Sequence, residues 1–129
     1  METKELIQNN IELLISLPQT IYEQQKKLSE TEDLFNEKTQ LLSKIKGEYL
    51  LEINSRVDAN KKKIFTNDDL RRAAWNELVN SDDELLELRK DIQLLSQEVE
   101  KLKLQIEHSY NVQKNIRTMA TYLFGQTLN

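Results

Sequence analysis

The sequence predicts an all-α protein with one domain, residues 1–129, folded as an elongated antiparallel helical hairpin (a coiled coil) with a short N-terminal helix. Its second half carries apolar residues at alternating spacings of three and four, and its first half carries a seven-residue apolar repeat. Only two glycines and one proline occur among 129 residues, which is too few for the turns of a sandwich or barrel. With 31% charged and 38% hydrophobic residues, the composition suits long helices that share a narrow apolar seam.

The first half predicts a short helix and then a long one. A proline is tolerated in the first turn of a helix but breaks or kinks its interior, so Pro18 divides a helix at about 3–16 from one at 18–56. A single kinked helix is the alternative. The apolar repeat comprises Ile7, Leu14, Ile21, Leu28, Phe35, Leu42 and Tyr49, and its expected companions in the seam are Ile11, Leu17, Leu34, Leu41, Ile45 and Ile53.

The segment at 57–66 interrupts this pattern and predicts the loop at the tip of the hairpin. Its sequence is VDANKKKIFT, which has no hairpin turn signal. The next helix is expected to begin with Thr66 as the N-cap and Asp69 as its capping-box partner, and Phe65 and Leu70 have the spacing of a hydrophobic staple.

The second half predicts a long helix over 67–124. A second capping box, Ser81 with Glu84, indicates a bend or break near 80–81 that would make 67–79 a separate helix, and an unbroken helix is the alternative that the sequence leaves open. Sustained spacing of three and four places one stripe along the helix and favours a left-handed supercoil. The residues predicted for the helix seam or an oligomer contact are Leu85, Leu88, Ile92, Leu95, Val99, Leu102, Ile106, Ile116 and Leu123.

Apolar residues outside this stripe predict self-association. One partner helix cannot cover both the stripe and the additional apolar positions, so we expect a homodimer. Parallel or antiparallel packing of its subunits stays open. The additional positions are Leu86, Leu104, Tyr110, Val112, Met119 and Tyr122.

No catalytic constellation is present in the sequence. The chain has one histidine, His108, and no cysteine, and its glycines stand only at 47 and 125, so a catalytic triad, a cysteine zinc site and a phosphate-binding glycine loop are all excluded. We therefore expect a protein that is not an enzyme and binds no metal or cofactor. The N-terminus does not resemble a signal peptide and no apolar run is long enough to cross a membrane, so a cytoplasmic location is expected.

Positive charge is concentrated around the tip. Between 44 and 72 there are eight Lys/Arg and five Asp/Glu, a balance of +3, whereas the formal charge of the whole chain is −4. The net charge argues against nucleic-acid binding over the whole surface but permits a local patch. The expected site for a partner or a phosphate comprises Lys61, Lys62, Lys63, Arg71 and Arg72. Trp75 is expected to be buried against Tyr49, Ile53 or Val57.

The tip resembles that of small helical coiled-coil proteins encoded by bacteriophages and prophages. The residues that carry the resemblance are Lys63, Phe65, Asn67 and Arg71, followed by Ala73 and Ala74. It implies a gene expressed early in infection, near functions in recombination and replication, and a location in the host cytoplasm. The leading hypothesis is a non-catalytic interaction protein that binds another protein, such as a host nucleic-acid enzyme, through the tip or an exposed helical face. The alternative is a nucleic-acid-binding accessory factor in recombination or replication that uses the basic tip.

Overall fold

A computed structural model describes residues 2–128, with side chains described as far as Gly125, and shows an all-α chain. It contains α1 (Thr3–Asn54), α2 (Asp68–Ser81) and α3 (Asp83–Leu128), and this confirms the predicted fold class. The predicted end at 124 is too early, because α3 continues through Gly125, whose φ is not positive. The chain divides into two compact units: the first contains residues 1–31 and 98–129, and the second contains 32–97.

The helix α1 runs unbroken through Pro18, so the predicted division into helices at 3–16 and 18–56 is wrong. An interior proline removes a backbone hydrogen bond and costs about 3 kcal/mol. Leu17 and Ile21, on either side of it, are both buried in the first unit. Burial of each such side chain contributes about 1.5–3 kcal/mol, so packing offsets the cost of the proline.

The helices of the first unit pair in antiparallel fashion, as predicted. Asn10 lies 3.1 Å from Met119, Nδ2 to Sδ, and Ser109 Oγ donates to Gln24 Oε1 at 2.9 Å. Later residues of α1 therefore contact earlier residues of α3, which means that the two helices run in opposite directions. Between the helices lie four buried residues of the predicted stripe: Val99, Leu102, Ile106 and Ile116.

The predicted companions on α1 are partly wrong. The seam positions on α1 are Asn10, Leu17 and Gln24. Each follows a residue of the seven-residue repeat by three positions. Ile11 is instead 42% exposed, and Leu34 and Leu41 are also exposed. Leu17 and Ile53 are buried as predicted, and the seam also accepts the polar residues Asn10 and Gln24, which find partners on α3.

The second unit is organised around a short helix that packs on both long ones. Trp75 and Val79 of α2 form a buried cluster with Leu85 of α3, and Leu42, Ile45, Tyr49 and Leu78 pack against it. The rings of Trp75 and Tyr49 lie 5.8 Å apart between centroids, which confirms the predicted packing of the tryptophan. Within the same unit Lys38 pairs with Asp91 at 3.1 Å.

A break at Asp82 separates α2 from α3. Asp82 has an extended backbone (φ −99, ψ 114), its N–H donates to Leu78 O at 2.9 Å, and its Oδ1 accepts from Leu85 N at 3.1 Å. It therefore caps the end of one helix and the start of the next. The break lies one residue beyond the possible bend at 80–81, and the unbroken helix is wrong; the capping box of Ser81 and Glu84 is also wrong, because Ser81 still belongs to α2.

The start of α2 is also shifted by one residue from its prediction. Asn67, not Thr66, is the N-cap: its backbone is extended (φ −141, ψ 169) and its Oδ1 accepts from Leu70 N at 2.8 Å. With this register Phe65 and Leu70 no longer occupy the staple positions, and Leu70 is exposed.

Replacing Asp82 by alanine tests its double capping role. We expect Asp82→Ala to lower the free energy of unfolding by about 1 kcal/mol, because the first turn of α3 loses its side-chain acceptor. Urea unfolding followed by circular dichroism measures this. The matched control is Asp83→Ala, which removes the same charge one residue on, and an equal loss in both variants would contradict the capping role.

Candidate binding surface in the second unit

The loop at 55–67, between α1 and α2, closes on itself as a short hairpin turn. Val57 and Lys63 form an isolated antiparallel bridge, flanked by hydrogen bonds from Asp58 N to Lys62 O at 2.8 Å and from Ile64 N to Arg56 O at 3.2 Å. The predicted loop is therefore present, and it contains a hairpin turn for which its sequence carries no typical signal.

Asp58 holds the turn in shape. Its carbonyl accepts from Lys61 N at 3.0 Å, and its Oδ1 accepts from the backbone N–H groups of Asn60 at 2.8 Å and Lys62 at 3.0 Å. Lys61 has φ 63, in the left-handed region that glycine or asparagine usually fills. The turn was missed because a lysine occupies that position, and the aspartate four residues before Lys62 was its only signal.

The three tip lysines carry uncompensated positive charge. Lys61, Lys62 and Lys63 are all exposed. None of them forms an ion pair with a carboxylate in the part of the chain whose side chains are described. Their charge is consequently available to an external partner.

Arg71, the fourth predicted site residue, ties the loop to the helices. Its guanidinium donates to Asp68 Oδ1 at 2.7 Å, to Phe65 O at 3.2 Å and to Asn54 Oδ1 at 3.2 Å, and 27% of its side chain is exposed. The hydrogen bond and the charge of Arg71 hold the pKa of the Asp68 carboxyl below its usual value. Arg71 thus positions the start of α2.

Arg72, the fifth, lines a groove of about 410 Å³ between the three helices, called here the basic groove. Two further cations, Lys46 and Arg89, lie on it, and sequence reasoning missed both as site residues. They belong to three different helices, and only the packing of α2 across the other two brings them together. The lining consists of Leu42, Ser43, Lys46, Arg72, Trp75, Asn76, Val79 and Arg89.

A second groove, of about 540 Å³, is acidic. Its charged residues are Glu48, Glu52, Asp82 and Glu84, and no lysine or arginine lines it. The second unit therefore separates its charges, with positive residues around one groove and negative residues around the other.

The predicted seam residues lie inside the chain's own packing. Leu85, Val99, Leu102, Ile106 and Ile116 are buried, and Leu88, Ile92, Leu95 and Leu123 are half-buried. In the first unit, Ile15 (73% exposed) and Tyr22 (60%) lie on one side of α1 with Ile11, within about 40° of each other at 100° per residue. We call these three residues the outer stripe.

Comparison with known proteins finds no match: no protein-family model, no curated protein and no solved structure matches this chain. Among the helices described, none is both long and apolar enough to cross a membrane.

The left-handed backbone at Lys61 predicts a stabilising substitution. We expect Lys61→Gly to raise the free energy of unfolding by about 1 kcal/mol, because glycine adopts this conformation without a steric penalty. Lys62→Gly is the control, since it removes the same charge where φ is negative, and it should lower stability. Thermal unfolding distinguishes them, and equal shifts in the two variants would argue against the turn.

Proposed function

We propose that this chain is a non-catalytic coiled-coil interaction protein of the phage or prophage type. It binds another protein through a basic surface that comprises Lys61, Lys62, Lys63 and Arg72. The observation that supports this is the exposure of the three tip lysines, without carboxylate partners in the described side chains, on a chain of net charge −4. The resemblance of the tip to phage proteins suggests a nucleic-acid enzyme of the host cytoplasm as the partner.

Nucleic acid is the second candidate for the same surface, favoured by the three consecutive lysines. Single-stranded nucleic acid is generally held by exposed aromatic rings as well as by charge. Near the tip Trp75 is buried and Phe65 is half-buried, so no described ring offers a free stacking face there. This favours a protein partner with an acidic surface.

Affinity capture from host lysate tests the role of the tip. We expect proteins captured by the wild-type chain to be lost when Lys61→Ala, Lys62→Ala and Lys63→Ala are combined, because their charges supply the contact. Quantitative mass spectrometry measures the loss. The matched control combines Lys44→Ala, Lys90→Ala and Lys101→Ala, three exposed lysines away from the tip that form no ion pair among the described side chains.

The capture experiment has two outcomes that contradict the protein-binding proposal. One is retention of every captured protein by the tip variant. The other is loss of all captured proteins after nuclease treatment, together with a gel shift of DNA or RNA that the tip variant abolishes, which would establish the nucleic-acid function instead.

We also propose that the chain works as a homodimer, joined through the outer stripe of the first unit. Ile15 and Tyr22 of this stripe are 73% and 60% exposed, and a contact between two copies would remove their apolar surface from water.

Light scattering tests the dimer. We expect a mass near twice 15.2 kDa at micromolar concentration, and a return to 15.2 kDa when Ile15→Glu and Tyr22→Glu are combined, because buried carboxylates would face the apolar contact. Leu51→Glu is the control, since Leu51 is equally exposed but lies in the second unit. A wild-type chain that is monomeric throughout would overturn the proposal.

A further inference from the structure

The basic groove has an apolar floor and a charged rim. On α2 its residues recur at 72, 75, 76 and 79, which is one face of a helix, and α1 contributes Leu42 and Lys46 one turn apart. Leu42, Trp75 and Val79 form the floor. Lys46, Arg72 and Arg89 stand around it, and Ser43 and Asn76 add polar groups that can donate hydrogen bonds.

The three cations of the rim have no direct carboxylate partner among the described side chains, and only Arg72 has an acid, Asp68, close enough to feel its charge. All are exposed, and none forms an ion pair among the residues whose side chains are described. Lys46 Nζ instead lies 6.0 Å from the centre of the Trp75 ring. No carboxylate lines the groove, whereas four acids line the other groove of the same unit. Three like charges around one concavity repel each other, and a bound anion would relieve that repulsion.

We propose that the basic groove binds a short acidic peptide segment, in which an aliphatic side chain enters the floor and flanking carboxylates pair with Lys46, Arg72 and Arg89. This inference rests on the proposal that the basic surface binds a protein, and it names the chemistry of that protein. The volume of about 410 Å³ falls within the range of ligand sites, roughly 300–1,000 Å³. An arginine guanidinium group can hold a carboxylate with two parallel hydrogen bonds. Arg72 and Arg89 each supply one such group to the groove.

The floor selects a peptide over a nucleic acid. Trp75 is only 7% exposed, and Tyr49 and Lys46 lie against its ring, so the ring cannot serve as a platform for a base. Leu42, which is half-buried, supplies the accessible aliphatic surface of the floor, while Val79 beneath it is 1% exposed, and this surface suits a leucine or isoleucine side chain. A peptide with carboxylates next to an aliphatic residue therefore complements both the charged rim and the apolar floor of the groove.

Trp75 provides a direct readout, because it is the only tryptophan of the chain. The probe is a short peptide with the core Asp-Asp-Leu-Glu-Glu, titrated into the intact protein at low ionic strength while the tryptophan fluorescence is followed. The same peptide labelled with fluorescein gives the dissociation constant by anisotropy. Two control peptides replace the leucine by serine, or the acids by their amides.

We expect saturable binding that Arg89→Gln weakens about tenfold, which corresponds to the loss of one charge-assisted hydrogen bond. The matched control is Lys90→Gln, which removes the same charge from the next residue, outside the groove, and should bind as the wild type does. Lys46→Gln and Lys44→Gln form a second such pair on α1. Circular dichroism confirms that each variant keeps its helix content.

Several results would overturn the groove as the site. These are no binding of the acidic peptide, equal weakening by Arg89→Gln and Lys90→Gln, equal binding of the serine peptide, or tighter binding of oligothymidine than of the peptide. If any of these occurs while the tip-lysine variant still loses its captured proteins, the proposed function stands and only the groove is excluded. If the tip variant loses nothing and the peptide still binds as expected, the groove stands without the tip.

Discussion

The packing of the second unit depends on the point at which α2 ends. Because Asp82 leaves the helical conformation and satisfies hydrogen-bonding groups on both sides, the chain can change direction there without orphaned backbone groups. Trp75 and Val79 can then pack with Leu85 and against α1. Burial of large apolar side chains contributes about 1.5–3 kcal/mol each, which outweighs the interruption of one helix when both ends are capped.

The spacing of the apolar residues predicted the buried stripe of α3. The helix caps were predicted less accurately, because two neighbouring residues could each serve as the cap. Thr66 and Asn67 can both cap a helix, as can Ser81 and Asp82, and the extended backbone of the second residue of each pair decides between them. The division of the helix at Pro18 was predicted from local helix propensity alone. The burial of Leu17 and Ile21 overrides that propensity, and burial is a property of the folded unit.

The seam of α1 shows why the first half was harder to predict. Its inward positions include Asn10, Gln24 and Lys38, which meet Met119, Ser109 and Asp91. Polar groups in a helix seam lower stability but specify register, because a shifted pairing would leave them without partners. Since polar residues occupy part of the seam, the isoleucines at 11 and 15 are left on the outside of α1.

The tip lysines were predictable because they are contiguous, whereas the basic groove was not, because its cations come from three helices. Its existence depends on α2, which at 14 residues is near the length at which isolated helices are only marginally stable in water. The helicity of α2 is therefore maintained by packing against α1 and α3. A ligand that contacts Lys46, Arg72 and Arg89 together would bind only the packed arrangement, so binding and the stability of the second unit are thermodynamically linked.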